Sequence, residues 1–535
     1  MKTKGDWAMK NNSLIKGAAI LTFAGLITRL LGFIYRIYMT NVMGSECIGL
    51  YQLIMPVYTL AWSISCAGFT TTISKLVAAQ KAQKKFGDMH QTLKQCIFMS
   101  VGIGIFLNII LYFGAQKFSL AIFHDERTIL SLKILAFSFP FMAAGSCIRG
   151  YFLGLQQSSI PAISQVLEQF IHMGTIYFFI GKINHHIEYT CALAVAGIML
   201  GELFSFIYVY LAYKNFECKQ KSIAPTLNFF STFSSIISMT IPLTANKVTA
   251  SFLTAIENIL IPQRLLLNGF SFERAISIYG QITGMAMPLI YFPSVFLMSL
   301  SISLVPEVSQ SYATKNNRQI NYTVSKTILF TSIIGMGSAI FFIMFPKEIG
   351  FFIYHQDISQ MLRLLGFMCP LLYLQIILSG ILNGLGHQMF IFKNNLLSSF
   401  INLFFIYFII PYRGINAFII GWFISLIISC LLNLNMITKS ISINLKFDEL
   451  ILKPILAMLA TGLVVRLIAT KFIFVHMPNI FGLFICAAIL GATYLFFIIS
   501  VGCISFNDFK SLAFTFSLKR KSKQKETNKK SSFLA

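Results

Sequence analysis

Arg29 and Arg36 stand seven residues apart inside the apolar run from Leu14 to Val42. At about 1.5 Å per residue such a run is long enough to cross a bilayer. Seven residues at about 100° each return almost to the starting direction, so both guanidiniums project from one helix face. An arginine near the bilayer centre costs roughly 2.5–3.5 kcal/mol on insertion scales, so that face must look into protein or a water-filled cavity rather than lipid. A pathway for an anion is the first chemistry the pair implies. The alternative is that Arg36 snorkels to the outer interface while Arg29 pairs internally.

Other charges interrupt apolar runs further along. Lys247 is the deepest of them, with no short route to either interface, and is expected either to join the arginines or to pair with a buried glutamate. Lys75 and Arg149 fall nearer the cytoplasmic ends of their helices, where snorkelling is the default reading, and are further candidates for the substrate cavity. Glu168, Glu202 and Glu257 are candidates for ion coupling or charge pairing.

The elements that must position these residues follow from composition. The 535 residues are 56% hydrophobic and only 11% charged, with mean hydropathy +0.74, which excludes a soluble globule and gives an all-α polytopic membrane protein. Apolar windows predict spans at 14–42, 48–80, 92–114, 129–153, 161–181, 190–213, 229–258, 275–309, 322–345, 358–383, 391–411, 414–437, 450–471 and 478–503, about 14 transmembrane helices in all. The first carries arginines after its apolar start and no small-residue cleavage pattern, so it reads as a retained helix rather than a signal peptide.

Basic residues set the orientation. Lys2, Lys4, Lys10 and Lys16 precede the first span; Lys84 and Lys85 follow the second, Lys214 and Lys219 the sixth, Lys439 and Lys446 the twelfth, and Lys519 to Lys530 the last. All fall on one side, so both termini are expected in the cytoplasm. The basic tail beside a membrane helix reads as a lipid-facing or solvated segment, not as a nucleic-acid site.

An internal repeat organises the spans. Phe137, Ser138, Phe139 and Pro140, followed by Arg149, Gly150, Tyr151, Phe152, Leu153 and Gly154, recur as Phe367, Met368, Cys369 and Pro370, then Ser379, Gly380, Ile381, Leu382, Asn383 and Gly384, at a spacing of 370 − 140 = 230. Each unit holds six helices, an even number, so the repeats are parallel and form two lobes with two C-terminal helices appended. The expected parts are a basic cytoplasmic N-terminus at 1–13, an N-terminal lobe at 14–213, a cytoplasmic linker at 214–228, a second lobe at 229–437, two further helices at 450–503, and a basic cytoplasmic tail at 504–535. Pro56, Pro140, Pro242, Pro288, Pro293 and Pro370 interrupt spans and supply bends.

Enzyme chemistry is not indicated. The sequence has no G-x-x-x-x-G-K-[ST], G-x-S-x-G or H-E-x-x-H pattern, and its histidines and ten cysteines lack metal-ligand spacing. No cofactor and no metal are expected, and the cysteines read as small core residues. Transport would then draw on an ion gradient, the membrane potential or the substrate gradient.

Ser13, Leu14, Ile15, Lys16 and Gly17, the stretch Arg29, Leu30, Leu31, Gly32, Phe33, Ile34, Tyr35 and Arg36, and Gly49, Leu50, Tyr51 and Gln52 carry a resemblance. So do Arg149 to Gln156, Pro161 to Gln169, and Tyr279 to Pro288. From about residue 12 to 505 the chain resembles the stage V sporulation protein B group of the multidrug/oligosaccharidyl-lipid/polysaccharide flippase superfamily, and is similar to lipid II flippases. The resemblance implies a two-lobe exporter in the plasma membrane of an endospore-forming bacterium. It would move an undecaprenyl-pyrophosphate-linked glycan, a lipid II-type precursor for the spore cortex, from inner to outer leaflet, with membrane lipids and cell-wall synthases as partners. The family's cavity arginines fall on Arg29 and Arg36, while Lys75 and Lys247 have no secure match. A carrier of another surface glycan, an ion-coupled multidrug antiporter using Glu168, Glu202 and Glu257, and a non-transporting partner of cell-wall synthases stay open as alternatives.

Overall fold

The computed structural model describes residues 4–182, 186–217, 228–314, 316–441, 452–468 and 480–502. Most of the expected linker at 214–228, the loop carrying His185 and the basic tail at 504–535 lie outside the described residues. Every described element is a helix, as a bilayer demands of a chain that must satisfy its own backbone polar groups. By length and apolar composition eight described helices can cross a membrane, or ten when each of two bent pairs counts as one span.

The helices fall into two compact units, Met1–Ser299 with His387–Leu432, and Leu300–Gly386 with Asn433–Ala535. In the first, α1 runs from Lys4 to Trp62 and turns at Gly44, whose φ of 78° and ψ of 169° leave the helical region. A positive φ is costly for a residue with a Cβ, so glycine ends the first span here, between the expected segments 14–42 and 48–80. The helix continues past Pro56 and through the π-helical turn Ser63–Ala67 into α2, Gly68–Ala82. There follow α3 (Phe86–Phe118), α4 (Ile129–Ala136), α5 (Ser138–Gly154), α6 (Ser159–Phe179), α7 (Ile187–Glu217) and α8 (Phe229–Leu266). Next come α9 (Phe272–Gly280), α10 (Met287–Tyr291) and α11 (Ser294–Ala313), which belongs to the second unit from Leu300 on. The second unit is built on α12 (Asn317–Met344), α13 (Pro346–Tyr354), α14 (Ser359–Gly366) and α15 (Cys369–Gly384). After α15 the chain returns to the first unit through α16 (Gln388–Phe404), α17 (Ile410–Arg413) and most of α18 (Ile415–Ser440), and ends in α19 (Lys453–Ile468) and α20 (Ile480–Ser500).

The repeat is visible in local geometry, unit by unit. Gly150 and Gly154 of α5 lie against α2 so closely that a Cβ would meet Thr70 O at 2.7 Å and Ser74 O at 2.8 Å. Gly380 and Gly384 of α15 lie in the same way on α11, where a Cβ would meet Ser301 O and Val305 O, each at 3.0 Å. His124 and His355 both turn left-handed, at φ 55° and 53°, and so do Gln156 and Gly386, at 62° and 86°. After each histidine an aspartate accepts a backbone N–H two residues on, Asp125 from Arg127 and Asp357 from Ser359. Lipid tails are as apolar as leucine, so close backbone approach at small residues is what joins membrane helices.

Polar groups pin the ends. Arg127 meets Glu46 at 2.7 Å and Asp125 at 2.9 Å in the first unit, and Arg466 meets Glu348 at 2.9 Å in the second. Cys66, Cys96, Cys147, Cys191, Cys369, Cys430 and Cys486 are buried, as core residues.

Candidate transport cavity

Arg29, Gly32, Phe33 and Arg36 of α1 line one cavity of about 400 Å³, closed on its other side by residues of α10, of α11 and of the bend between them, including Phe292 and Met298. The positions follow helical spacing: three, four and seven residues after Arg29 lie on its own face. Pro288 starts α10 and the chain bends by 59° between Tyr291 and Ser294, which turns this second wall toward α1. Phe33 and Phe292 stack across the cavity, ring centroids 4.3 Å apart.

Among the described residues no acidic side chain lines the space. Arg29 is exposed, and its Nη1 donates to the Met298 thioether at 2.9 Å, a weak acceptor. Arg36 is half-buried, and among the described residues neither guanidinium meets a carboxylate. The two arginines thus stand beside an aromatic pair without a carboxylate partner among the described residues. Guanidiniums suit phosphate oxygens because their planar fork donates two parallel hydrogen bonds.

The other expected cavity residues do not join them. Arg149, expected to snorkel or to face substrate, is half-buried, its side chain 12% exposed, and donates to Ser205 at 3.0 Å, with Glu168 at 3.4 Å and Glu202 at 3.7 Å. The small residues around it on α5 let three helices approach, and their two carboxylates draw the guanidinium inward. Lys247 is exposed on α8, without the buried glutamate partner considered for it among the described residues, and Lys75 is exposed on α2; neither lines the arginine cavity. Glu257 is half-buried, with Ser399 and Asn402 of α16 turned toward its carboxylate.

Three residues of these two arrangements escaped the sequence reading. Phe292 and Met298 enter through the bend after Pro288, and the periodicity of one helix does not report on a second. Tyr58 donates a 2.7 Å hydrogen bond to Glu202 and carries no pattern that distinguishes it from other membrane tyrosines.

The profile of the polysaccharide biosynthesis protein family matches residues 14–312, more than half of the sequence, and that of the MatE family matches residues 282–408. The chain belongs to the polysaccharide biosynthesis protein family. Within the reach of this family it is 28% identical to stage V sporulation protein B of Bacillus subtilis (strain 168), over 82% of this chain and 86% of that one. Its fold is that of the lipid II flippase MurJ in an inward closed conformation, with a TM-score of 0.65 at 14% identity, covering 90% of this chain and 98% of that structure. An inward-facing multidrug resistance MATE family transporter of the MOP superfamily aligns with a TM-score of 0.64 at 14% identity, over 79% and 98%. This polysaccharide biosynthesis family member is a multi-pass membrane protein with the MOP transporter fold.

Proposed function

We propose that the chain is a flippase that carries an undecaprenyl-pyrophosphate-linked glycan, a lipid II-type peptidoglycan precursor used in sporulation, from the inner to the outer leaflet by alternating access. The observation that carries this reading is the cavity holding Arg29 and Arg36 with no acidic residue in its lining. A polyprenyl tail can remain in hydrocarbon, whereas its pyrophosphate head cannot cross without a cationic path. A head with two negative charges is driven outward by roughly 5 kcal/mol at ~100 mV, inside negative, so transport needs no ATP. The proposed topology has fourteen spans, lobes at 14–213 and 229–437, both termini in the cytoplasm, and the bacterial plasma membrane as its site. A multidrug antiporter for organic cations is disfavoured, because the cavity lining holds two arginines and, among the described residues, no carboxylate to receive a cationic drug.

The test is export of lipid-linked precursor in a deletion strain complemented by variants. Arg29→Ala should leave insertion intact and hold the precursor in the inner leaflet, and Arg29→Lys should restore export only in part, since a point charge replaces a fork. Normal export by an inserted Arg29→Ala protein would remove the cavity from the mechanism.

A further inference from the structure

Cys47 and Cys191 belong to neither charged arrangement. Cys47 lies three residues past Gly44 on α1, beyond the turn that ends the first span, and Cys191 stands near the start of α7. Cys47 Sγ is 3.7 Å from the backbone oxygen of Ile187, the residue that opens α7. Four residues along a helix return to nearly the same face, so Cys191 shares the face of Ile187. The two thiols accordingly face each other, within reach of a side-chain hydrogen bond. Arg127 marks the same meeting point: it holds Glu46, the neighbour of Cys47, at 2.7 Å and Asp125 at 2.9 Å, and its charge reaches both thiols. Both cysteines are thiols in the structure, 1% and 0% exposed.

Side chains that point together meet the first requirement of a disulfide. Place supplies the second. Under the proposed topology Glu46 and the loop before α7 face outward, away from the glutathione and thioredoxin that keep cytosolic thiols reduced. Cys66 and Cys369, by contrast, lie mid-way along the expected spans 48–80 and 358–383, out of reach of a water-borne oxidant. Burial fixes when such a bond can form. A thiol without exposed surface is closed to an outside disulfide once α7 has packed on α1, so the exchange belongs to insertion or to moments when this outer turn opens. The same burial shields the finished bond from reductants.

The bond holds the back of a turn whose front is already engaged. Ser45 and Gly49, two residues to either side of Cys47, lie on the opposite helix face. There Ser45 Oγ meets Ser277 Oγ of α9 at 2.9 Å, and a Cβ on Gly280 would meet Gly49 N at 2.7 Å. Joined covalently to α7 behind, this turn of α1 keeps its place, while α9 is held in front by contact alone.

We infer that Cys47 and Cys191 form an intramolecular disulfide on the outer side of the membrane, which anchors the outer turn of α1 to α7. The bond forms by exchange with an organic disulfide presented from outside. The thiolate of one cysteine attacks one sulfur of that disulfide and expels the other as a thiolate; the thiolate of the second cysteine then attacks the mixed disulfide and expels the remaining sulfur. The two cysteine protons pass to the two expelled sulfurs, so two protein thiols are oxidised and one outside disulfide is reduced to two thiols. The side of the membrane rests on the proposed topology; the pairing does not.

The test takes the full-length protein in its native membranes, alkylated with N-ethylmaleimide while it is unfolded and digested without reductant. A peptide pair joined through Cys47 and Cys191 is expected, separated by reduction, with Cys369 recovered fully alkylated. The same pair should form when protein reduced in nanodiscs is warmed with glutathione disulfide. Both cysteines recovered alkylated from native membranes, and again after glutathione disulfide, would overturn the proposal. The closed loop is long, 191 − 47 = 144 residues, and long loops gain most from closure. Reduction should therefore lower the thermal unfolding midpoint of the native protein by about 5–10 °C and leave that of Cys47→Ala unmoved; equal effects in the two would overturn the anchoring role. In intact cells first reduced and then given glutathione disulfide, which does not cross the membrane, the pair should return. A pair that forms in nanodiscs but never from outside the cell would overturn the outer placement, and with it the topology, while retaining the pairing.

Discussion

Arg149→Met is the sharpest probe of the buried cluster. The native guanidinium is 12% exposed and stands within 3.0 Å of Ser205, 3.4 Å of Glu168 and 3.7 Å of Glu202. Methionine matches much of its volume, so packing is largely kept while two carboxylates lose their counter-charge. Removing one partner of a buried pair costs about 3–5 kcal/mol because a buried charge is left uncompensated. That is a large share of the roughly 5–15 kcal/mol by which folded proteins are stable. Adding Glu168→Gln and Glu202→Gln to Arg149→Met removes the orphaned charges, and the triple variant should recover to within about 1–2 kcal/mol of the native protein. The assay is reversible unfolding in mixed micelles followed by helicity. Because protons can neutralise the orphaned carboxylates, the deficit of the single variant should shrink as pH falls from 8 toward 5, while that of the triple variant stays flat. A single variant within about 0.5 kcal/mol of native, or a deficit independent of pH, would refute the account of a buried and undercompensated cluster.

Three further outcomes are expected. Gly150→Val and Gly380→Val should each destabilise by about 1–3 kcal/mol, since a Cβ would meet Thr70 O at 2.7 Å or Ser301 O at 3.0 Å; equal stability by the same unfolding assay would deny the close helix contacts. Phe33→Ala should lower export about two- to tenfold through loss of a stack worth about 0.5–1.5 kcal/mol, with the arginines untouched, as read from precursor accumulation in the inner leaflet. Cysteines placed at Glu46 and Arg413 should react with an impermeant reagent in intact cells, whereas one at Lys84 should not; labelling of position 84 would reverse the proposed topology.

The fold was legible where one physical constraint dominates. Apolar length alone locates helices, because a bilayer leaves the backbone no other way to satisfy itself. The boundary at Gly44 is marked in the sequence by a glycine between two apolar runs, and its positive φ explains the residue. The repeat was legible because its landmarks are glycines and prolines, whose roles depend on backbone geometry rather than on which apolar side chain fills a gap. Less visible was the return of α16, α17 and most of α18 to the first unit, since packing partners among uniformly apolar helices leave little pattern in one sequence.

The site divides along the same line. Arg29 and Arg36 were legible because two cations on one helix share a face by spacing alone, a relation internal to one element. Arg149, Lys75 and Lys247 were not, because their surroundings depend on other helices: depth along a span is the same for a guanidinium that snorkels and for one that meets Glu168 and Glu202. What separates the two arginine environments is therefore compensation rather than position. In the cluster acidic groups outnumber the basic one; in the cavity two basic groups meet no acidic residue. A protein that only needed to bury charge would pair its arginines as it pairs Arg149. Leaving Arg29 against a thioether forgoes that stabilisation, which under the proposed function the anionic head of the substrate supplies.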